Sequence, residues 1–122
     1  FRREQPNIRR DKFLTGAPAA DGKLPDVGWY SPNGKPMDWS QCTKSILCVF
    51  GTDGLDDPAA RPVMLLLSAS EATQEFVIPA ALRSLPWRQF IDTSALSPAD
   101  IYPGLDGPTL PTSGRLRLIH TR

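Results

Sequence analysis

The stretch from residue 45 to residue 51, "SILCVFG", has an alternation that decides the fold class. Ile46, Cys48 and Phe50 fall on one side of an extended chain, and Leu47 and Val49 fall on the other. Both sets are apolar, so the pattern predicts a β-strand that is covered on both faces.

Short apolar runs of the same kind occur on both sides of this strand. A polar connector leads to "VMLLLSAS" (63–70), the most apolar run, and a short turn then leads to "QEFVIP" (74–79). The short separation predicts that these two runs form a hairpin. The other predicted strands are "VGWY" (27–30), "WRQFIDT" (87–93) and "RLRLIH" (115–120).

Turn-forming residues separate these runs. The chain of 122 residues contains 13 prolines and 9 glycines, spread between the apolar runs as in all-β domains with many turns. The pair Asn33-Gly34 predicts a hairpin-type turn, and Pro79 interrupts the competing helix at 71–85. We therefore predict an all-β fold, an antiparallel β-sandwich of about six to eight short strands, with a short helical remnant at the N-terminus.

Composition and charge exclude several classes of function. The formal net charge of +1 gives no electrostatic footprint for nucleic acid. The longest apolar run, 63–67, is too short to span a membrane. Cys42 and Cys48 with a single histidine do not make a zinc site, so we expect two reduced thiols in a cytoplasmic protein. No cofactor is expected.

Residues that carry catalytic chemistry are sparse. His120, the only histidine, is expected at the edge of a strand and at least partly in solvent. Asp53, Asp56 and Asp57 lack the spacing of a calcium loop and are expected to form a solvated turn. The sequence therefore predicts no catalytic residue and no metal site.

Aromatic residues give the only binding candidates. Flat rings suit the apolar faces of sugars, which makes Trp29, Tyr30 and Trp39 weak candidates for substrate binding. Trp39, beside polar residues, is the most exposed of the tryptophans by this argument. Trp87 is expected to belong to the core instead.

Two segments carry a resemblance to a known family. "RREQPNIRRDKFLTG" (2–16) resembles the exit of the last barrel helix in bacterial glycogen debranching enzymes, the isoamylase-like branch of glycoside hydrolase family 13. "DVGWYSPNGKPMDWSQ" (26–41) resembles the segment that follows in that family. The later runs come in the expected order, so the resemblance covers essentially the whole chain.

The resemblance implies a division of the chain and a function. Residues 1–16 would be the tail of a catalytic barrel and a linker, and residues 17–122 would be the C-terminal β-sandwich that packs on that barrel and stabilises it. The parent enzyme would hydrolyse α-1,6 branch linkages in glycogen or limit dextrin, with catalytic carboxylates upstream of Phe1. Without the barrel, residues 1–10 are expected to be poorly anchored. An alternative from another class is a module that binds glycogen or maltooligosaccharides.

Overall fold

The fold is an antiparallel β-sandwich with almost no helix, as the sequence predicts. The computed structural model describes residues 1–19 and 23–119. Its strands are β1 (Gly28–Tyr30), β2 (Ser45–Phe50), β3 (Val63–Ser68), β4 (Gln74–Val77) and β5 (Arg115–Leu118). Its helical turns are the 3₁₀ turns Arg2–Glu4 and Pro6–Ile8, and the single α-helical turn α1 (Ala80–Arg83).

One sheet contains three strands in the order β1-β2-β3, and the other pairs β4 with β5. In the first sheet, Leu47 lies between Tyr30 and Leu66, and Cys48 lies between Trp29 and Leu65. Since directly opposed residues point to the same side of a sheet, this register separates an inner from an outer face. The inner face carries Tyr30, Leu47, Val49, Met64 and Leu66, and the outer face carries Trp29, Ile46, Cys48, Leu65 and Leu67.

The core forms where the two sheets and α1 meet. Leu47 and Val49 of β2 belong to one buried cluster with Phe76 of β4 and with Ile78 and Leu82, which follow it. Each such side chain contributes about 1.5–3 kcal/mol when it is fully buried. On the opposite side of β2, Cys48 is almost fully buried, whereas Ile46 and Phe50 are half-buried, so the predicted cover on both faces is confirmed only in part.

The predicted hairpin between residues 63–70 and 74–79 is wrong. Instead, β4 pairs with β5 to form the two-stranded sheet, with Phe76 opposite Leu116. Glu75 accepts a hydrogen bond from Arg115 at 2.6 Å and lies 3.8 Å from Arg117. These cross-strand contacts favour β5 as the partner, because β3 offers no cation to Glu75.

The prediction of a strand at 87–93 is also wrong. This segment forms only isolated bridges, from Arg88 to Thr109 and from Ile91 to Ile101. Apolar and polar residues alternate in this segment without forming one apolar side. Adding it to a sheet would therefore bury little apolar surface. The described residues therefore contain five strands, where we predicted about six to eight. The Asn33-Gly34 turn is confirmed, with Gly34 at a positive φ of 82°.

The N-terminal segment is bonded to the sandwich, whereas we expected residues 1–10 to be poorly anchored without the barrel. Asn7 is almost fully buried, and its side-chain amide donates to the carbonyls of Phe50 at 3.0 Å and Arg61 at 2.7 Å. Arg10 donates to the carbonyls of Asp53 and Gly51. The segment finds its partners in backbone carbonyls of the sandwich itself, which the sequence gives no means to anticipate.

Candidate functional site

The outer face of the three-stranded sheet is an exposed apolar surface. Above the buried Cys48, this outer face exposes Trp29, Leu65 and Leu67 next to the half-buried Ile46, and Trp39 packs beside Trp29. Leu65 is 42% exposed and Leu67 is 54% exposed. Contiguous apolar surface of this kind is typical of a binding or docking site on a small domain.

Two of the three predicted sugar-binding residues meet on this face. The ring centroids of Trp29 and Trp39 are 5.8 Å apart at an interplanar angle of 70°, an edge-to-face pair. Trp39 is 68% exposed, so one of its ring faces is open to solvent. The arrangement leaves an aromatic corner, in which one ring supports the other.

A hydrogen-bonded turn holds Trp39 in place. The backbone N–H of Met37 donates to the carbonyl of Trp29 at 3.0 Å, which ties the turn to β1. The Asp38 carboxylate accepts from the Ser40 hydroxyl at 2.6 Å and from the Ser40 backbone N–H at 3.0 Å. The hydrogen bond from the Ser40 hydroxyl, and to a smaller extent the one from its backbone, lowers the pKa of Asp38, so the residue before Trp39 carries an ionised acceptor at neutral pH.

Tyr30 is not part of this aromatic corner. It lies on the inner face of the sheet, half-buried against the core cluster, with its ring lying over Gly28. The alternation of a β-strand puts neighbouring residues on opposite sides, so Trp29 and Tyr30 cannot share one face. The structure thus brings Trp29 and Trp39 together and separates Tyr30 from them.

Trp87 lies at the edge of the core, as expected. It is half-buried and packs against the core cluster, and its indole N–H donates to the carbonyl of Leu82 at 2.6 Å. A buried indole N–H normally requires such an acceptor. Trp87 also lines a surface cleft of about 290 Å³ with Arg83 and Arg88, two residues that the sequence analysis did not single out.

Of the remaining predicted residues, Cys48 lies beneath the outer face between Trp29 and Leu65, and the others belong to neither surface. Cys42 is exposed and Cys48 is buried, and both are free thiols. Burial raises the pKa of Cys48 to about 11, so this thiol is not reactive at neutral pH. Asp56 and Asp57 are exposed in a loop, in agreement with a solvated turn. His120 lies outside the described residues.

Within residues 1–19 and 23–119, no cluster of three or more His, Cys, Asp or Glu side chains could hold a metal ion. In the same part of the chain, no helix is long and apolar enough to cross a membrane. No family model matches the chain, and no curated protein matches it either.

Proposed function

We propose that this chain is the non-catalytic C-terminal β-sandwich of a cytoplasmic glycogen debranching enzyme, and that it docks on the catalytic barrel of the parent through its outer face. The barrel would be the partner, and the parent would hydrolyse α-1,6 branch linkages in glycogen or limit dextrin. The resemblance of residues 2–16 and 26–41 to that family supports the identity of the partner. The sandwich would stabilise the barrel without contributing catalytic residues.

The outer face is the observation that supports docking. Leucine and tryptophan side chains on a three-stranded sheet stay in solvent in the isolated chain, although their burial would be favourable at about 25 cal/mol per Å². Each strand of that sheet is already fixed by its inner face. The exposed apolar residues are therefore not needed to form the fold. A partner surface that covers them would explain why these positions are apolar.

Titration of the chain into a debranching barrel expressed without its own C-terminal domain tests this proposal. Leu67→Glu places a charge on the outer face, and Leu96→Glu is the matched control because Leu96 is 86% exposed in a loop away from that sheet. We expect the wild-type chain and Leu96→Glu to raise the melting temperature of the barrel, and Leu67→Glu to fail. Equal effects of the two variants would argue against docking through this face.

The aromatic corner favours a second candidate function, the binding of α-glucans. An exposed tryptophan face beside an ionised Asp38 offers an apolar platform and a hydrogen-bond acceptor for sugar hydroxyls. On this hypothesis Trp39→Ala abolishes maltoheptaose binding and Tyr30→Phe leaves it intact. A maltoheptaose titration followed by tryptophan fluorescence separates the two functions, because docking through the outer face requires no affinity for free glucan.

A further inference from the structure

The cleft beside Trp87 has an unusual charge pattern. Its lining consists of Arg83, Leu85, Pro86, Trp87, Arg88, Thr109, Leu110, Pro111 and Thr112. It thus contains two arginines, two threonine hydroxyls and no carboxylate. In the described part of the chain, both ion pairs are formed by Glu75, so neither arginine of the cleft is neutralised there.

Arg83 is held in place by the fold. Its Nε donates to the carbonyl of Ile78 at 2.7 Å, which leaves the two terminal nitrogens of the guanidinium without that bond. Its side chain lies against Gly114, where an added Cβ would come within 2.6 Å of Nε. Only glycine leaves room for Arg83 at this point, and Gly114 also has a positive φ that favours glycine.

Arg88, which follows Trp87 in the chain, is also bonded to the backbone. One of its terminal nitrogens donates to the carbonyl of Gly107 at 3.2 Å, and its other donors remain. Trp87 is itself fixed by its bond to Leu82. Both arginines are exposed, and each is tied to the backbone by one hydrogen bond, so the cleft places two partly oriented guanidinium groups beside a fixed aromatic ring and lowers the cost of ordering them on ligand binding.

We infer that this cleft binds a phosphate monoester carried by a sugar. Guanidinium groups pair with phosphate oxygens through two parallel hydrogen bonds, and the threonine hydroxyls can serve a further oxygen. A carboxylate has only two oxygens and would use fewer of these donors. Trp87, Leu85 and Leu110 provide an apolar wall for a pyranose ring, and the cleft of about 290 Å³ has room for one sugar unit beside the arginines.

The choice of a glucose derivative rests on the proposed function, whereas the anion follows from the cleft alone. The phosphoryl group could belong to a free hexose phosphate or to a phosphorylated glucan chain. The cleft shares no residue with the outer face. The test of docking with Leu67→Glu and the test of phosphate binding with variants of the cleft can therefore fail independently of each other.

Titrations followed by the indole N–H resonances in ¹H–¹⁵N spectra test the inference. The probes are glucose 6-phosphate, phosphorylated maltotriose, inorganic phosphate and glucose. We expect glucose 6-phosphate or phosphorylated maltotriose to shift the Trp87 indole resonance saturably, while the resonances of Trp29 and Trp39 do not move. The ligand that binds more tightly shows whether the phosphate belongs to a free hexose phosphate or to a glucan chain. Inorganic phosphate should bind more weakly, and glucose should produce no shift.

Arginine variants supply the decisive comparison. Arg88→Gln, at an exposed position that tolerates change, should weaken binding by about tenfold or more. Arg117→Gln removes the same charge from a strand residue that is 73% exposed, and should leave the affinity within about twofold. An unchanged indole spectrum of Arg88→Gln without ligand verifies its fold. Equal losses in the two variants, no saturable shift at Trp87, or equal affinity for glucose or inorganic phosphate would overturn the inference.

Discussion

At the scale of single residues, polar atoms at the edge of the sandwich hold the loops in place. Asp26 is an example: its carboxylate accepts from the backbone N–H groups of Thr15 and Gly16, each at 2.8 Å, and from that of Val27. One side chain thus joins the segment after the N-terminal turns to the start of β1. Such carboxylate bonds to backbone N–H groups are among the stronger hydrogen bonds at a protein surface.

The Asp26 bonds predict a dependence of stability on pH. Partial desolvation opposes the shift, but the backbone bonds outweigh it and lower the pKa of Asp26 from its ordinary 3.8. Because the folded-state pKa is the lower one, the stabilisation is complete above about pH 4 and is lost as pH falls through the folded-state pKa. We expect Asp26→Asn to cost about 1 kcal/mol at neutral pH and to converge with the wild type in acid. Urea midpoints across this range measure it, and Asp11→Asn, at an exposed acid, should leave the free energy of unfolding at neutral pH within about 0.5 kcal/mol of the wild type.

Replacing Trp87 and replacing Trp39 should differ in how much stability each change costs. Trp87→Ala removes core packing and the bond to Leu82, and should cost about 3 kcal/mol, the low end for a buried tryptophan, because the ring is half-buried. Trp87→Phe keeps most of the packing and should cost about 1 kcal/mol. Trp39→Ala, at a residue 68% exposed, should change stability by less than about 1 kcal/mol. Chemical denaturation of the three variants provides the comparison, and equal midpoints for the two alanine variants would contradict it.

At the scale of elements, period-two alternation predicts which segments are strands, but not their partners. The strands at 27–30, 45–51, 63–70, 74–79 and 115–120 are each confirmed in part of their predicted range. The pairing of β4 with β5 joins residues about forty positions apart, and no local pattern records it. The rule that close neighbours form a hairpin fails here. Cross-strand contacts and core burial outweigh the smaller entropic cost of closing a short loop.

The N-terminal segment shows a related limit of sequence analysis. The absence of a barrel predicts a poorly anchored terminus, and only the fold reveals that backbone carbonyls at the end of β2 and before β3 can accept hydrogen bonds from this segment. Asn7 supplies both donors. A side chain whose partners are backbone groups leaves no trace in the pattern of residue types.

Asn7 therefore predicts where the segment is anchored. Asn7→Ala leaves the carbonyls of Phe50 and Arg61 without this donor, and should cost about 2 kcal/mol. It should also raise amide exchange between Arg2 and Arg10. Phe13→Ala is the control, because Phe13 is 99% exposed and should change stability by less than about 0.5 kcal/mol. Rapid exchange across residues 1–10 in the wild type would restore the expectation of a frayed terminus.

At the scale of the whole molecule, the two candidate surfaces differ in how far the sequence predicts them. Trp29 and Trp39 stand out by residue type, although only the turn after β1 brings them together. Arg83 and Arg88 do not stand out, because the cleft is completed by residues 109–112, more than twenty positions later. A surface built by one strand and the next turn is accessible to sequence analysis, whereas a cleft between distant loops is not.

The chain as a whole is expected to have no glycosidase activity. Most glycoside hydrolases use a pair of carboxyl groups, one on each side of the scissile bond. The cleft beside Trp87 has no carboxylate in its lining, and Asp56 and Asp57 lie with Lys23 in an open depression that is not closed around a substrate. We expect the purified chain to release no reducing sugar from glycogen, pullulan or limit dextrin. Activity that survives purification and disappears in a variant combining Asp56→Asn and Asp57→Asn would show that the chain carries its own catalytic site, and the proposed non-catalytic role would then be wrong.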